Sequence, residues 1–214
     1  MLNGLAKLKD DGQMAIIQNG SSLFNGDAGS GPSEIRRYLI ENDWLDAIVQ
    51  LPNNAFYNTP IATYIWIVMK NKPITHQGKV QLIDASACAS SRRKNIGSKN
   101  VDITKACRDL IIEAYGAYAD GTYNDTDENA IVVKSKVMDA IDLGYNKIVI
   151  QTPQLDEDGN IIMKKKKPVA DKSKRDTENV PLAEDIDVYF EREVIPYNPQ
   201  AWIDKAKTKV GYEI

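Results

Sequence analysis

The sequence predicts an α/β protein whose core is an open, mostly parallel sheet ending in an antiparallel hairpin. Three observations carry this expectation. Two apolar runs, 13–18 and 46–51, flank an amphipathic helical stretch. A third run, 61–69, follows the second after only nine residues. Strand, helix and strand in that order imply a parallel pair with a right-handed crossover. A nine-residue connection is too short for a helical crossover, so the third strand runs antiparallel to the second.

Each element has its own local signal. Leu2, Leu5, Ala6 and Leu8 repeat at helical spacing, and Asp10-Asp11-Gly12 ends that turn of chain. Residues 13–18 are a short apolar strand, and 19–32 a loop rich in Gly, Ser and Asn. Ser33 is placed to cap the next helix, whose stripe is Ile35, Tyr38, Leu39 and Leu45. Ile61 to Met69 is rich in β-branched and aromatic residues, as strands are. A strand at 79–84 extends the sheet, and a basic loop, 90–99, follows it. Ile103, Ala106, Cys107, Leu110, Ile111, Ala114 and Tyr115 fall on one face of a helix over 101–118. Residues 119–129 form a polar turn region, 130–133 a short strand, and 146–152 another. That last strand pairs with 160–163 across the turn at 156–160.

Composition narrows the function classes. The chain has 214 residues, 43% of them apolar, enough for a core. Its formal charge of −3 does not by itself identify a nucleic-acid or membrane partner. Cys88 and Cys107 make no disulfide framework and fit a reducing cytoplasm. Metal chemistry is not expected from one histidine and two cysteines. His76 lies in the polar stretch 72–78 and reads as a solvated loop residue. Residues 164–175 hold six lysines and one arginine against one aspartate, and 176–193 hold seven acids against one arginine. Adjacent blocks of that kind mark a mobile linker, near 164–178, and an exposed helix, with phosphate contact the sharper alternative.

Two motifs mislead. Gly26-Asp-Ala-Gly-Ser-Gly31 precedes a helix but has neither the Walker spacing nor the dinucleotide fingerprint, and reads as a surface loop. Asn198-Pro199-Gln200 lacks the second proline and the aromatic of the amino-methylating tetrapeptide. The informative segment is Leu51-Pro-Asn-Asn-Ala-Phe-Tyr-Asn-Thr-Pro60. Phe56 and Tyr57 sit in a polar turn at the carboxyl end of a strand, where ligands of open α/β sheets bind. One reading is that the rings cover the base of the hairpin. The other is that one of them stacks on a flat ring, as base-modifying enzymes require once a base is flipped out of its stack.

The run SSLFNGDAGSGPSEIRRYLIENDWLDAIVQLPNNAFYNTPIATYIWIVMKNK resembles the modification subunit of type I restriction-modification systems. So do KVQLIDAS, LGYNKIVIQTP, DTENVPLAEDIDVYFEREVIPYNPQAWID and KVGYEI, in the family's order. The resemblance implies the carboxyl-terminal half of a class I, Rossmann-like methyltransferase sheet (1–84) followed by an α+β extension (85–214). It implies methyl transfer from S-adenosylmethionine to the exocyclic amine of adenine in DNA. The implied partners are DNA, a specificity subunit, a restriction subunit and a second modification subunit, in the cytoplasm and away from membranes. Phe56 matches the aromatic placed against the flipped base, with Tyr57, Asn58 and Thr59 around it. Gln18, Asn19 and Gly20 line the cleft. Pro60 stands where the family often has glycine.

The family's glycine-rich cofactor loop and Asn-Pro-Pro-aromatic motif do not occur in these 214 residues. The resemblance therefore implies the carboxyl part of a subunit, without catalysis by this chain alone and with further sequence expected after Ile214. A reading from the residues agrees. The strand at 13–18 is apolar on both faces, yet only one helix precedes it. It is an exposed edge, or pairs with another chain, or lacks the first half of its domain. Two other functions stand beside this one: a non-catalytic docking module for a specificity subunit, with 80–214 as the docking element, and an unrelated nucleotide-binding protein using the 26–31 loop.

Overall fold

The computed structural model describes residues 1–124 and 131–214. The strand expected at 130–133 begins at Val132, and its first residue lies outside the described residues. The chain forms two compact units, one of residues 1–25 and 35–140 and the other of 26–34 and 141–214. Residues 85–140 thus sit with the first unit.

The first unit contains α1 (Leu2–Lys7), β1 (Gln13–Asn19), the short α2 (Ser21–Phe24), most of α3 (Gly31–Glu41), β2 (Leu45–Leu51), β3 (Thr63–Met69), β4 (Lys79–Asp84), β5 (Ser90–Ile96), β6 (Lys99–Asp102), α4 (Lys105–Ala117), β7 (Gly121–Asn124) and β8 (Val132–Asp139). Six strands make one sheet in the order β1-β3-β2-β4-β8-β7. The sheet is mixed. Only β2 and β4 pair in parallel, and β3 lies antiparallel to both β1 and β2. The expectation of a mostly parallel sheet is corrected here. β1 and β2 do run the same way, but β3 is inserted between them, so the parallel pair implied by strand-helix-strand order is never hydrogen-bonded.

Burial follows position in the sheet. β2 is buried on both faces along nearly its whole length, as a central strand covered above and below must be. β1 alternates, with Ala15 and Ile17 exposed, so it is not buried on both faces as its composition suggested. Its second edge carries no strand among the described residues. Helix α4 buries Cys107, Leu110 and Ala114 against Val49, Leu51, Ile83 and Val133. Thr104 caps this helix, its hydroxyl accepting from the Cys107 amide at 3.2 Å. Gln81 is fully buried and donates to the Ala114 carbonyl at 2.7 Å and to Ser135 Oγ at 2.8 Å, tying the helix to the sheet.

The basic stretch expected as a loop is a hairpin, β5–β6, turning at Gly97. Alternating polar side chains hid it, because neither face of the hairpin carries an apolar row.

The second unit is built on β9 (Gly144–Gln151), which pairs with β12 (Asp176–Pro181), β13 (Trp202–Ile203) and β14 (Lys209–Tyr212), all antiparallel. Helix α5 (Ile186–Glu193) places Phe190 in a core with Ile148, Ile150, Val180 and Val194. Residues 160–163 do not pair with β9, whose flanks are already taken. Met163–Lys164 (β10) instead turns back onto Lys167–Pro168 (β11), with Lys165 and Lys166 at positive φ. The stretch expected as a linker near 164–178 therefore holds a small hairpin and the start of a core strand. Ser33 is not a helix cap. Helix α3 starts two residues earlier, and Ser33 is fully buried, its Oγ accepting from the Tyr212 amide at 3.3 Å.

Candidate functional site

Three strands end at one edge of the first unit's sheet. The register sets Asn19 and Leu51 on either side of Thr63, and Gln50 beside Asp84. β1 and β2 are separated by one strand, so their carboxyl ends lie about 10 Å apart, twice the usual strand spacing. This is the edge where open α/β sheets hold ligands. The residues singled out from the sequence lie there in two groups.

Gln18, Asn19 and Gly20 close β1. Asn19 is exposed and accepts from Ser21 Oγ at 2.7 Å through its side chain and from Ser22 Oγ at 2.8 Å through its carbonyl, which starts α2. A Cβ on Gly20 would meet the Tyr64 ring at 3.2 Å, so the backbone passes close to β3.

Phe56 to Thr59 form a tight turn. The Thr59 amide donates to the Phe56 carbonyl at 3.3 Å, and Thr59 Oγ1 donates to the Tyr57 carbonyl at 3.2 Å. Asn58 takes φ 51°, a left-handed conformation that Asn tolerates better than most residues. Phe56 is half-buried and packs against the cluster of Val49, Leu51, Ile83, Ala85 and Cys88. Tyr57 is the exposed ring, at 64%. Adjacent turn residues point apart, and composition does not say which one meets the core.

The β5–β6 hairpin adds a feature the sequence did not show. At its tip Gly97 has φ 59°, and a Cβ there would lie 2.5 Å from Asn58 Oδ1 and 2.9 Å from Tyr57 Cε2. The tip therefore rests directly on the aromatic turn, and only glycine fits. Asp102 holds the hairpin's base through Arg92 and through Lys99 at 3.2 Å, and the Arg92 guanidinium keeps its carboxyl below the usual range.

A buried polar network occupies the opposite, amino edge. Asp46 is fully buried and falls in a β-bulge between Leu45 and Ala47, which turns its carboxylate out of the ladder. Tyr115 donates to its Oδ2 at 2.7 Å, and His76 Nδ1 lies 2.9 Å from its Oδ1. Tyr118 stacks on His76, ring centroids 3.4 Å apart, and donates to the Asp46 and Lys79 carbonyls at 3.3 Å each. Burial foremost, with Asp46 behind it, pushes both phenols above their ordinary range. Lys72, buried, donates to Asp43 at 2.7 Å and to the Lys79 carbonyl at 2.6 Å. His76 is thus not a solvated loop residue; its side chain is only 16% exposed. No sequence signal joins residues 46, 76, 115 and 118. The network clamps α4 and the loop before β4 to the sheet, on the edge opposite the aromatic turn.

In the second unit the 26–31 loop is filled by its own atoms. A Cβ on Gly26 would strike Ser30 Oγ at 2.4 Å, and one on Gly29 would meet Lys209 at 3.0 Å. Asp27 bonds Lys147 with both oxygens at 2.8 Å, which lowers its carboxyl below the usual range. Among the described residues no group of three or more His, Cys, Asp or Glu could hold a metal, and no helix is long and apolar enough to cross a membrane.

Residues 1–157 match the profile of the family described as N-6 DNA Methylase. A 95-residue stretch is 33% identical to the MjaVII type I restriction enzyme methylase subunit of Methanocaldococcus jannaschii, covering 42% of this chain and 16% of that protein. The MpnII methylase subunit of Mycoplasma pneumoniae is 31% identical over 110 residues, 50% of this chain and 19% of its own length. The type I restriction-modification methyltransferase subunit of Streptococcus thermophilus superposes with a TM-score of 0.52 at 28% identity, over 66% of this chain and 26% of that one. The chain thus spans under a fifth of the curated relatives' length. With nearly three quarters of its residues inside the family profile, the chain belongs to the N-6 DNA methylase family.

Proposed function

We propose that this chain supplies the target-base side of an adenine-N6 DNA methyltransferase of type I restriction-modification systems. The observation that carries the reading is the convergence of the β1, β2 and β4 carboxyl ends on one edge, with the Phe56–Thr59 turn on that edge. Phe56 forms the stacking wall for an extruded adenine. Its contact with the core fixes the ring, and a fixed ring gives up little freedom when a base lands on it. Tyr57, Asn58 and Thr59 complete the wall, and Gln18, Asn19 and Gly20 line the cleft beside it.

S-adenosylmethionine is the methyl donor of the complete enzyme. The family's glycine-rich cofactor motif does not occur in the sequence, so in this reading the cofactor's cradle comes from elsewhere in the complete subunit. An upstream part of the catalytic sheet pairs with the edge of β1 that carries no strand among the described residues. Residues 85–214 serve as an extension that docks on a specificity subunit, in an assembly with a restriction subunit and a second modification subunit. A purely docking role, without the base-binding edge, is the competing reading.

The test is methyl transfer from labelled S-adenosylmethionine to adenine-containing duplex. The chain alone gives no label above a no-protein control. A complete subunit carrying this segment gives label, and loses it with Phe56→Ala. Transfer by the chain alone, or full activity of the Phe56→Ala enzyme, overturns the proposal.

A further inference from the structure

We propose that the β5–β6 hairpin is a duplex-DNA contact element, its basic arm set against the phosphates flanking the extruded base. The inference rests on the base-binding reading of the Phe56–Thr59 turn and adds a surface that the reading did not include.

Three observations carry it. The first is position. Gly97 at the hairpin tip touches the Tyr57 ring and the Asn58 side chain so closely that a Cβ has no room. Whatever approaches the aromatic turn meets the hairpin as well. The second is charge. Residues 90–102 hold Arg92, Arg93, Lys94 and Lys99 against Asp102, a local balance of 4 − 1 = +3 in a chain whose total is −3. Among the described residues Asp102 pairs with Arg92 and Lys99. Arg93 and Lys94 are exposed and form no ion pair among the described residues. Two cations without ion-pair partners among the described residues, carried on the bulged stretch between the Ser91–Val101 and Ile96–Lys99 pairs, suit a polyanion, and neutralising phosphates releases counterions. The third is the tip itself. Ile96, the neighbour in sequence of Gly97, is 49% exposed, and Tyr57, against which Gly97 rests, is 64% exposed. A β-branched aliphatic side chain on a hairpin tip has the shape of a wedge for a base step, and extrusion of a base leaves such a step open.

The experiment is fluorescence anisotropy of the 214-residue chain with a labelled duplex across a salt series. Arg93→Gln with Lys94→Gln is compared with Lys164→Gln with Lys167→Gln, an equal charge change on the other hairpin. Each phosphate contact adds about 0.9 to the slope of log K against log salt, so the first pair should flatten it by roughly 1.8. At 0.1 M salt that corresponds to about 60-fold weaker binding, extrapolating from 1 M. The second pair should leave the slope nearly unchanged. Ile96→Ala should keep the slope and reduce the fluorescence of 2-aminopurine placed at the target step. Equal slopes for both pairs, or no duplex binding by the chain, overturns the inference. The base-binding reading is scored separately, by methyl transfer in the complete subunit. Hairpin-dependent binding without methyl transfer leaves the hairpin standing and removes the enzyme reading; methyl transfer untouched by Arg93→Gln/Lys94→Gln does the reverse.

Discussion

Replacing Asp46 with alanine should be among the most damaging single changes in the first unit. The carboxylate is fully buried, and a bulge in β2 aims it at Tyr115 and His76. Leaving a buried hydrogen-bonding partner unsatisfied costs about 1–3 kcal/mol, and Asp46 has two such partners. His76 retains a path to water at 16% exposure, so its share falls at the lower end. The total for Asp46→Ala is then about 2–4 kcal/mol. That is a large fraction of the roughly 5–15 kcal/mol by which a domain is stable. With a urea dependence of about 2.5 kcal/mol per molar, the midpoint should fall by about 1–2 M. The assay is urea unfolding followed by tryptophan fluorescence in a Trp202→Phe background, where Trp44 and Trp66 report on the first unit. Tyr115→Phe should cost about 1.5–3 kcal/mol alone and much less on top of Asp46→Ala, because its partner is already gone. A midpoint shift below about 0.3 M for Asp46→Ala, or strict additivity in the double variant, refutes the network's role.

Phe56→Ala should cost about 2–3 kcal/mol of stability, less than a fully buried phenylalanine, because the ring is only half-buried. Its folded fraction should bind duplex with an easily extruded base about 5- to 150-fold more weakly, from roughly 1–3 kcal/mol of lost stacking. Phe56→Trp should keep most of that binding, and Tyr57→Ala should change stability by under about 0.5 kcal/mol. Calorimetry and anisotropy on the same samples check this, and normal binding by folded Phe56→Ala rules out the stacking wall. Stability should also fall in alkali. The raised Tyr115 and Tyr118 phenols hold their protons more tightly folded than unfolded, so the stability they confer is intact below the unfolded pKa near 10 and lost as pH rises past it. Melting temperatures measured from pH 8 to 11 should show the decline, shallower in Tyr115→Phe; an unchanged slope in that variant shows that Tyr115 contributes none of it.

Local pattern located most elements but not their pairing. Ile61 to Met69 read as a strand because β-branched residues crowd it, and its antiparallel course followed from a short connection. Its insertion between β1 and β2 was not legible, since strand order depends on which edges find each other in space. The β5–β6 hairpin escaped notice because Ser90-Ser-Arg-Arg-Lys-Asn-Ile96 has no buried row to produce alternation. The aromatic turn was found from two adjacent rings at a strand's end, while the division of labour between Phe56 and Tyr57 required the core to be seen. His76 was misread for a plainer reason. Its partners lie 30 residues upstream, at Asp46, and 42 downstream, at Tyr118, and nothing in its own neighbourhood announces them.

The placement of β3 also bears on how the chain assembles. It is synthesised last of the three neighbours yet must end in the middle, with Trp66 facing Ile16 on one side and Ile48 on the other. The contact with Ile48 spans 18 residues and the contact with Ile16 spans 50. Closing the longer loop costs more chain entropy and comes later. A nascent chain therefore forms the β2–β3 ribbon first and recruits β1 to its outer side afterwards. Until then Gln13–Asn19 lacks its β3 partner, and the β1 amides that bond to β3 should be the first of the three strands to exchange with solvent deuterium and the last to gain protection during refolding.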